Sequence, residues 1–232
     1  MVKVYLIILL NLFINNSFSQ NIGGIDQRLV INDRFLTLKS SLILNQKNSS
    51  IEQAIISLHG TLRNGEDYFN AMVDAVADRV DKTLVVAPTF KRIDDPRETN
   101  ELFWGRRWFQ KWKYGYTAQN LENIGSFDVM DHLISQISSK ENYPNLKRII
   151  LIGHSAGGQF VQRYSVGTKI AERIGEDIDL RLVVSNPSSY LYLHPERVNF
   201  IENDFNTLDL SDNRCLEYND YIYGVNKGLP PY

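Results

Sequence analysis

The sequence predicts one α/β domain with a doubly wound, mostly parallel sheet. Short runs of Ile, Leu and Val alternate along the chain with segments of helical period, and apolar runs of this length are typical of strands buried on both faces of a sheet. With 232 residues, of which 43% are hydrophobic and 22% charged, the chain has an ordinary composition for a single globular domain.

The first residues follow a different pattern. Lys3 begins a short positive region, residues 4–14 are almost wholly apolar, and Ser17 and Ser19 place small residues at alternate positions. We therefore predict residues 1–19 as a signal peptide cleaved after Ser19, and a secreted or periplasmic mature protein from residue 20 to 232. A membrane anchor is the alternative, but the apolar run is far shorter than the roughly 20 residues that span a bilayer.

Each element of the domain is predicted from the period of its apolar residues and from the residues that end it. Ranges 27–32 and 35–44 mix apolar and polar residues and predict two paired edge strands. Buried strands are predicted at 54–58, 83–87, 148–152 and 180–184. Helices are predicted at 67–80, after Ser126 as the N-cap, and from Ala156 to about Ile174. Because strands and helices take turns, one parallel sheet covered on both faces is expected.

Residues 153–157 read Gly-His-Ser-Ala-Gly and match the pattern G-x-S-x-G. A predicted buried strand leads into the motif and a predicted helix leads out, so Ser155 would lie on a tight strand-to-helix turn with its hydroxyl above the sheet. Side chains at Gly153 and Gly157 would crowd this turn, and the helix N-terminus favours developing negative charge. We therefore predict Ser155 as a catalytic nucleophile.

A second motif, Leu-His-Gly-Thr at 58–61, directly follows an earlier predicted strand. In acyl-transfer sites of this architecture, one backbone N–H of the oxyanion hole comes from this position, and the other comes from the residue after the nucleophile. We therefore predict the N–H groups of Thr61 and Ala156 as the oxyanion hole. An ordinary strand-to-helix turn at 59–60 is the alternative.

Together these two motifs resemble the α/β-hydrolase superfamily, near secreted serine esterases of the feruloyl-esterase and polyhydroxybutyrate-depolymerase kind. The stretches 185–191, 218–221 and 223–224 resemble a bacterial and fungal branch, and the resemblance runs from about Ala54 to Tyr232. It implies a serine hydrolase of carboxylic esters that acts on a small-molecule or polymeric substrate without a cofactor.

The sequence departs from this family after the nucleophile. The superfamily carries its catalytic acid and histidine on loops after later strands, whereas only one good strand, 180–184, is predicted after Ser155. We therefore expect a C-terminally truncated chain whose sheet lacks its last strands and helices, whose acid and base lie beyond Tyr232, and which is nearly inactive. Cys215 is the only cysteine, and we expect either a buried free thiol or a partner beyond the chain.

None of the four histidines is predicted as the base. His59 belongs to the oxyanion motif and His154 adjoins the serine, so both are interpreted as scaffold. His132 falls on the polar side of a predicted helix, where a solvated side chain is expected. His194 follows the nucleophile but comes too soon after the strand at 180–184 for the usual place of the base.

Residues 88–125 form an irregular, aromatic-rich insertion that contains all three tryptophans, Trp104, Trp108 and Trp112. The insertion leaves the carboxyl end of a strand, where open α/β sheets bind ligands. We predict the tryptophans as substrate-binding residues in an apolar or sugar-binding cleft; the alternative is that they pack a small core of the insertion. A non-catalytic, exported protein that binds a ligand or carbohydrate in this cleft is the alternative function.

Basic residues are interleaved with these aromatics, namely Arg106, Arg107, Lys111 and Lys113. This pattern superficially resembles a stripe for nucleic acid, but the formal net charge of −2 provides no overall positive field. A cleft rim for an anionic or polymeric substrate is favoured, and neither nucleic acid nor stable membrane insertion is expected. No residue spacing indicates a metal site or a phosphate loop, and the oligomeric state stays open.

Overall fold

The computed structural model describes residues 23–199, 204–207 and 216–229. The predicted signal peptide and Cys215 lie outside these ranges. Within them, no helix combines the length and the apolar character needed to cross a bilayer.

A six-stranded sheet lies at the centre of the fold, with two short strand pairs beside it. The strands are β1 (Ile25–Ile31), β2 (Arg34–Ser40), β3 (Gln53–Leu58), β4 (Thr83–Pro88), β5 (Lys91–Arg92), β6 (Phe103–Trp104), β7 (Arg148–His154), β8 (Asp179–Ser185), β9 (Glu196–Asn199) and β10 (Asp204–Thr207). The main sheet has the order β1-β2-β4-β3-β7-β8, while β5 pairs with β6 and β9 with β10. β1 and β2 form an antiparallel hairpin, and β2 is antiparallel to β4. The remaining strands of the sheet, β4, β3, β7 and β8, run parallel to one another.

Helices cover both faces of this sheet. They are α1 (Gly65–Val76), α2 (Ser126–Ile137) and α3 (Ala156–Gly167). Phe69 of α1 packs in one cluster with Val85 and Ala87 of β4, whereas Leu84 and Val86 of the same strand belong to the larger cluster that includes α2 and α3. Successive residues of a strand point to opposite faces, so β4 is buried on both sides. The doubly wound, mostly parallel α/β fold expected from the sequence is confirmed.

Two helices are shorter than the sequence predicts. α1 ends at Val76, because Ala77 has a φ of 38° and the chain continues as a 3₁₀ helix. α3 ends at Gly167 and not near Ile174, because Thr168 is extended, with a ψ of 138°. The apolar pattern of the sequence continues past both helix ends, because it does not depend on the backbone angle of a single residue. A prediction from this pattern therefore makes both helices too long at the C-terminal end.

The start of α2 also differs from the prediction by one residue. The N-cap is Gly125, whose N–H donates to Asp128 Oδ2 at 2.7 Å. Ser126 is the first helical residue, and its buried Oγ donates to the carbonyl oxygen of Trp112 at 2.5 Å. Ser126 therefore links the start of α2 to the aromatic insertion by a hydrogen bond.

One buried carboxylate holds the insertion to the sheet. The side chain of Glu101 is almost completely buried. Its Oε1 accepts a hydrogen bond from Thr37 Oγ1 of β2 at 2.5 Å, and its Oε2 accepts one from Lys91 Nζ of β5 at 2.9 Å. Buried carboxylates are costly unless they are paired and hydrogen-bonded, and both conditions are met here.

A buried arginine holds the C-terminal described segment to α3. Arg163 donates to the carbonyl oxygen of Ile222 from Nη2 at 2.8 Å and to the Oγ of Ser189 from Nη2 at 3.1 Å. Its guanidinium also lies 4.9 Å from the centre of the Tyr114 ring. The segment after β8 is therefore connected through α3 to the insertion, at the carboxyl edge of the sheet.

Candidate active site

Ser155 occupies the sharp turn between β7 and α3. Its backbone has φ 56° and ψ −112°, a region that residues other than glycine rarely adopt. Its N–H donates to the carbonyl oxygen of Ser185 at 3.0 Å, and its own carbonyl oxygen accepts from the N–H of Gln159 at 3.0 Å. A strained backbone at a strand-to-helix turn is typical of functional sites, because the surrounding structure must hold it in place.

Glycines around Ser155 allow α3 to approach the sheet closely. A Cβ atom on Gly153 would lie 2.2 Å from the carbonyl oxygen of Gly157, and one on Gly157 would lie 2.5 Å from that of Leu58. Gly158, which sequence reasoning did not single out, is just as restricted, because its Cβ would lie 2.5 Å from the carbonyl oxygen of Ser185. Because these contacts are with backbone atoms, a side chain at any of the three positions would force the backbone to shift.

The turn after β3 lies against Ser155. A Cβ atom on Gly60 would lie 3.7 Å from the Cβ of Ser155 and 3.0 Å from the hydroxyl of Tyr68. Thr61 and Ala156 line the same cavity of about 100 Å³. In the described part of the chain, neither the Thr61 N–H nor the Ala156 N–H donates a hydrogen bond. The structure therefore brings the three residues predicted from the two motifs to one place.

His59 is fully engaged within the protein. Its side chain is completely buried, its Nδ1–H donates to the carbonyl oxygen of Gly60 at 2.8 Å, and its Nε2 accepts from the N–H of Phe90 at 2.9 Å. The ring also makes an edge contact with Trp112, at 4.8 Å between centroids. Burial is the main reason that the pKa of His59 is lowered to about 4, and the positive charge of Arg63 contributes to this decrease. The imidazole is therefore neutral near pH 7 and supports the turn.

This buried imidazole predicts an acid-sensitive fold. The pKa of His59 is about 4 in the folded chain and about 6.5 in an unfolded one, so the unfolded state binds more protons between these values. The free energy of unfolding is expected to fall by about 2–3 kcal/mol from pH 7 to pH 4 through this group alone. Urea denaturation of the wild-type chain and of His59→Gln at pH 7 and at pH 4 measures how much the free energy of unfolding of each protein changes with pH. His132→Gln, at an exposed position on α2, is the matched control. If the free energy of unfolding of His59→Gln changes with pH as much as that of the wild-type chain, the assignment is contradicted.

The other histidines do not reach the serine hydroxyl. The Nδ1 of His154 lies 3.2 Å from the Tyr68 hydroxyl, and the Nδ1 of His194 lies 3.5 Å from Glu196 Oε2. Both side chains are exposed. Among the described residues, Ser155 Oγ makes no hydrogen bond to a histidine or a carboxylate, and the catalytic base and acid stay unassigned.

Tyr68 is a residue of the site that the sequence did not reveal. It lies on α1, 86 positions before His154, and its hydroxyl approaches both His154 and the Gly60 turn. Within α1 its spacing is that of a partly exposed helical residue, so no local signal distinguishes it. Only the packing of α1 against the sheet places it beside the serine.

The three tryptophans have different environments. Trp104 is completely buried, and its Nε1–H donates to the carbonyl oxygen of Tyr116 at 2.7 Å. The expectation that Trp104 contacts a ligand does not agree with this position, because the side chain has neither exposed surface nor a free donor; it packs on Phe90 at 5.2 Å. Trp112 is mostly buried and lines the cavity with Thr61, whereas Trp108 is about half exposed.

Metal ligands are not grouped in the described ranges: no cluster of three or more His, Cys, Asp or Glu side chains there could hold an ion.

Comparisons with known proteins give structural similarity only. No family model matches the sequence, and no curated protein matches it. Among solved structures, the chain is similar to LpqC, a poly(3-hydroxybutyrate) depolymerase from Bordetella parapertussis, with 26% identity, a TM-score of 0.46, and coverage of 64% of this chain and 48% of that one. Poly(aspartic acid) hydrolase-1 from Sphingomonas sp. KT-1 has 15% identity, a TM-score of 0.39, and coverage of 73% and 55%.

An acetyl xylan esterase from Aspergillus awamori has 12% identity and a TM-score of 0.39, over 61% of this chain and 46% of that one. The chain thus spans about half the length of these proteins. The fold itself is evident from the molecule: a parallel sheet of order β4-β3-β7-β8 behind an antiparallel hairpin, with a strained serine between β7 and α3. The described part of the chain has the fold of the α/β-hydrolase superfamily.

Proposed function

We propose that the chain is a serine hydrolase of carboxylic esters in which Ser155 is the nucleophile. One observation carries this proposal: Ser155 is held at a φ of 56° beside a cavity that is shared by two residues whose N–H groups have no acceptor in the described ranges, Thr61 and Ala156. Backbone N–H groups next to a strained serine are the parts that acyl transfer requires.

In the proposed reaction, the Oγ of Ser155 forms a bond with the carbonyl carbon of the ester and loses its proton to a base. The carbonyl oxygen becomes an oxyanion that accepts hydrogen bonds from the N–H groups of Thr61 and Ala156. The alcohol leaves with a proton, and water then cleaves the acyl-serine to release the acid and restore the hydroxyl. The N-terminus of α3 below the site adds a favourable dipole for the negative charge.

A fluorophosphonate probe tests the nucleophile. Because this reagent phosphonylates nucleophilic serines, the adduct is expected on the peptide that contains Ser155, as identified by mass spectrometry of the digested protein. Ser155→Ala should carry no adduct. Ser135→Ala, which removes an exposed hydroxyl on α2, should be labelled like the wild type. Equal labelling of Ser155→Ala, or an adduct on a different serine, would refute the proposal.

A non-catalytic binding protein is the second candidate, and a specific observation favours it. Among the described residues, no base contacts Ser155. Trp112 lines the cavity, and Trp108, four residues earlier in the chain, is about half exposed. A serine without a base is a weak nucleophile. The two functions differ in one property: a binding protein keeps its ligand affinity in Ser155→Ala and shows no hydrolysis that depends on Ser155.

A further inference from the structure

The cavity beside Ser155 has a basic lining. Besides Thr61, Ala156, Trp112 and Gly105, it is lined by five basic side chains and by no acidic one: Arg63, Arg92, Arg106, Lys111 and Lys113. The same small cavity therefore contacts both residues of the proposed oxyanion hole and a group of cations. We call these five side chains the basic cluster.

Nearby carboxylates neutralise only part of this charge. Asp95 accepts from Arg63 Nε at 2.5 Å and from Arg63 Nη2 at 2.9 Å. Asp94 is shared, because Arg106 Nε donates to it at 2.7 Å and Arg92 Nε lies 2.9 Å from its Oδ2. Two carboxylates thus serve three arginines, and neither carboxylate lines the cavity.

Arg92 makes an imperfect contact with its carboxylate. Although Arg92 Nε is close to Asp94 Oδ2, the two groups are not aligned for a hydrogen bond, and the buried Nε has no hydrogen-bond partner among the described residues. A buried N–H without an acceptor is costly, because it has lost its contact with water. The Nε itself is too buried to reach a ligand, but the rest of the guanidinium belongs to a side chain that is 42% exposed and brings a positive charge to the cavity.

The two lysines have no ion-pair partner in the described part of the chain. Lys113 lies 5.0 Å from the centre of the Tyr114 ring, and it is half-buried. Burial is the main reason that the pKa of Lys113 is lowered to about 8, and the positive charges of Lys111 and Arg163 contribute to this decrease. An ammonium group in this position is short of both water and negative charge, and an anion in the cavity would supply the missing charge.

The size and the position of the cavity restrict the anion. The cavity is small, with a volume of about 100 Å³. A cavity of this size favours a small anion, such as a carboxylate on a short aliphatic chain, over a bulky polyanion. Because the cavity also reaches Thr61 and Ala156, the carboxylate and the scissile ester must belong to one small molecule or to one end of a polymer.

We propose that the basic cluster binds a carboxylate located a few atoms from the ester carbonyl, so that the substrates are monoesters of short dicarboxylic acids or chain ends that carry a free carboxylate. The assignment of the ester position rests on the proposed function. Binding of the carboxylate does not, since it requires only the cluster.

Binding to the Ser155→Ala variant tests this specificity without any turnover. Monomethyl glutarate and dimethyl glutarate differ in one negative charge, and a ligand-observed NMR titration measures the dissociation constant of each. The monoester is expected to bind at least about tenfold more tightly, because charge-assisted hydrogen bonds are stronger than neutral ones. Equal affinities for the two esters would overturn the proposal.

Substitutions separate the basic cluster from the general charge of the protein. In the Ser155→Ala background, Lys111→Gln is expected to reduce the preference for the monoester at least about threefold, and Lys111→Gln with Lys113→Gln should abolish it. Lys47→Gln, at an exposed position, is the control and should preserve the preference. Because Lys113 is half-buried, thermal melting must show that each variant is folded; an unchanged preference in folded Lys111→Gln would overturn the proposal.

The results also separate this inference from the proposed function. A selective monoester site in a chain that shows no labelling of Ser155 would uphold the basic cluster and reject the nucleophile. Labelling of Ser155 in a chain that binds both esters equally would reject the cluster and uphold the nucleophile.

Discussion

Gly157→Ala is expected to lower the free energy of unfolding by about 3 kcal/mol or more. The added Cβ would lie 2.5 Å from the carbonyl oxygen of Leu58 and 2.9 Å from that of His59. These are backbone atoms at the end of β3, which pairs with β4 on one side and with β7 on the other, so they cannot move away without breaking the sheet. Helix propensity works in the opposite direction, because alanine is favoured over glycine in a helix by about 1 kcal/mol.

Urea denaturation at 25 °C measures this loss, and Gly23→Ala is the matched control. No atom lies within 4 Å of a Cβ built on Gly23, so the control should change the free energy of unfolding by less than about 0.5 kcal/mol. A loss below about 1 kcal/mol for Gly157→Ala would mean that α3 does not approach β3 as closely as described. The position of Ser155 against the Gly60 turn would then have to be abandoned, since both depend on the same contact.

The centre of the fold is predictable because each buried strand has a local signature. β4 is buried along its whole length, from Thr83 to Pro88, and a strand covered on both faces must be apolar at successive positions. Helix ends are less predictable, because they depend on single backbone angles and capping bonds. Thr168 ends α3, and Ser126 uses its hydroxyl to contact the carbonyl of Trp112 instead of capping α2.

The residues of the candidate active site also differ in how well the sequence predicts their positions. The elbow is predictable because Gly153, Ser155 and Gly157 are neighbours in sequence and the turn constrains each of them. The sequence leaves two alternatives open for Trp104, since an aromatic residue in an irregular segment has the same spacing whether it packs a core or lines a cleft, and its buried position agrees with the first. Tyr68 depends on contacts between segments that are far apart in the chain, and no pattern in a single sequence reports such contacts.

Members of the basic cluster come from three separate segments, around residues 63, 92 and 106–113. Only the last segment was singled out from the sequence, as a rim for an anionic substrate. Arg63 and Arg92 join it because the turn after β3 and the short strand β5 both lie at the carboxyl edge of the sheet. The complete basic cluster is therefore evident only from the structure, whereas the sequence alone indicates the basic residues of the last segment.

Imidazole added to the solution is expected to accelerate ester hydrolysis that depends on Ser155. The described residues place no base at the serine hydroxyl, and a serine hydrolase that lacks a triad member typically retains only a residual rate, about 10³-fold or more below that of the complete site. A base that diffuses into the site can take up the serine proton. At a few hundred millimolar imidazole, we expect at least about a tenfold increase in the hydrolysis of a chromogenic acetate ester by the purified chain.

Ser155→Ala provides the background for this experiment, because imidazole also cleaves activated esters directly. The increase must be measured as the difference between the wild-type chain and this variant at each imidazole concentration. A difference that rises with imidazole places the deficiency in proton transfer and leaves the serine and the oxyanion hole competent. Full esterase turnover without imidazole would instead mean that a base already reaches Ser155, and His194, which follows the nucleophile and is exposed, would be the first residue to replace.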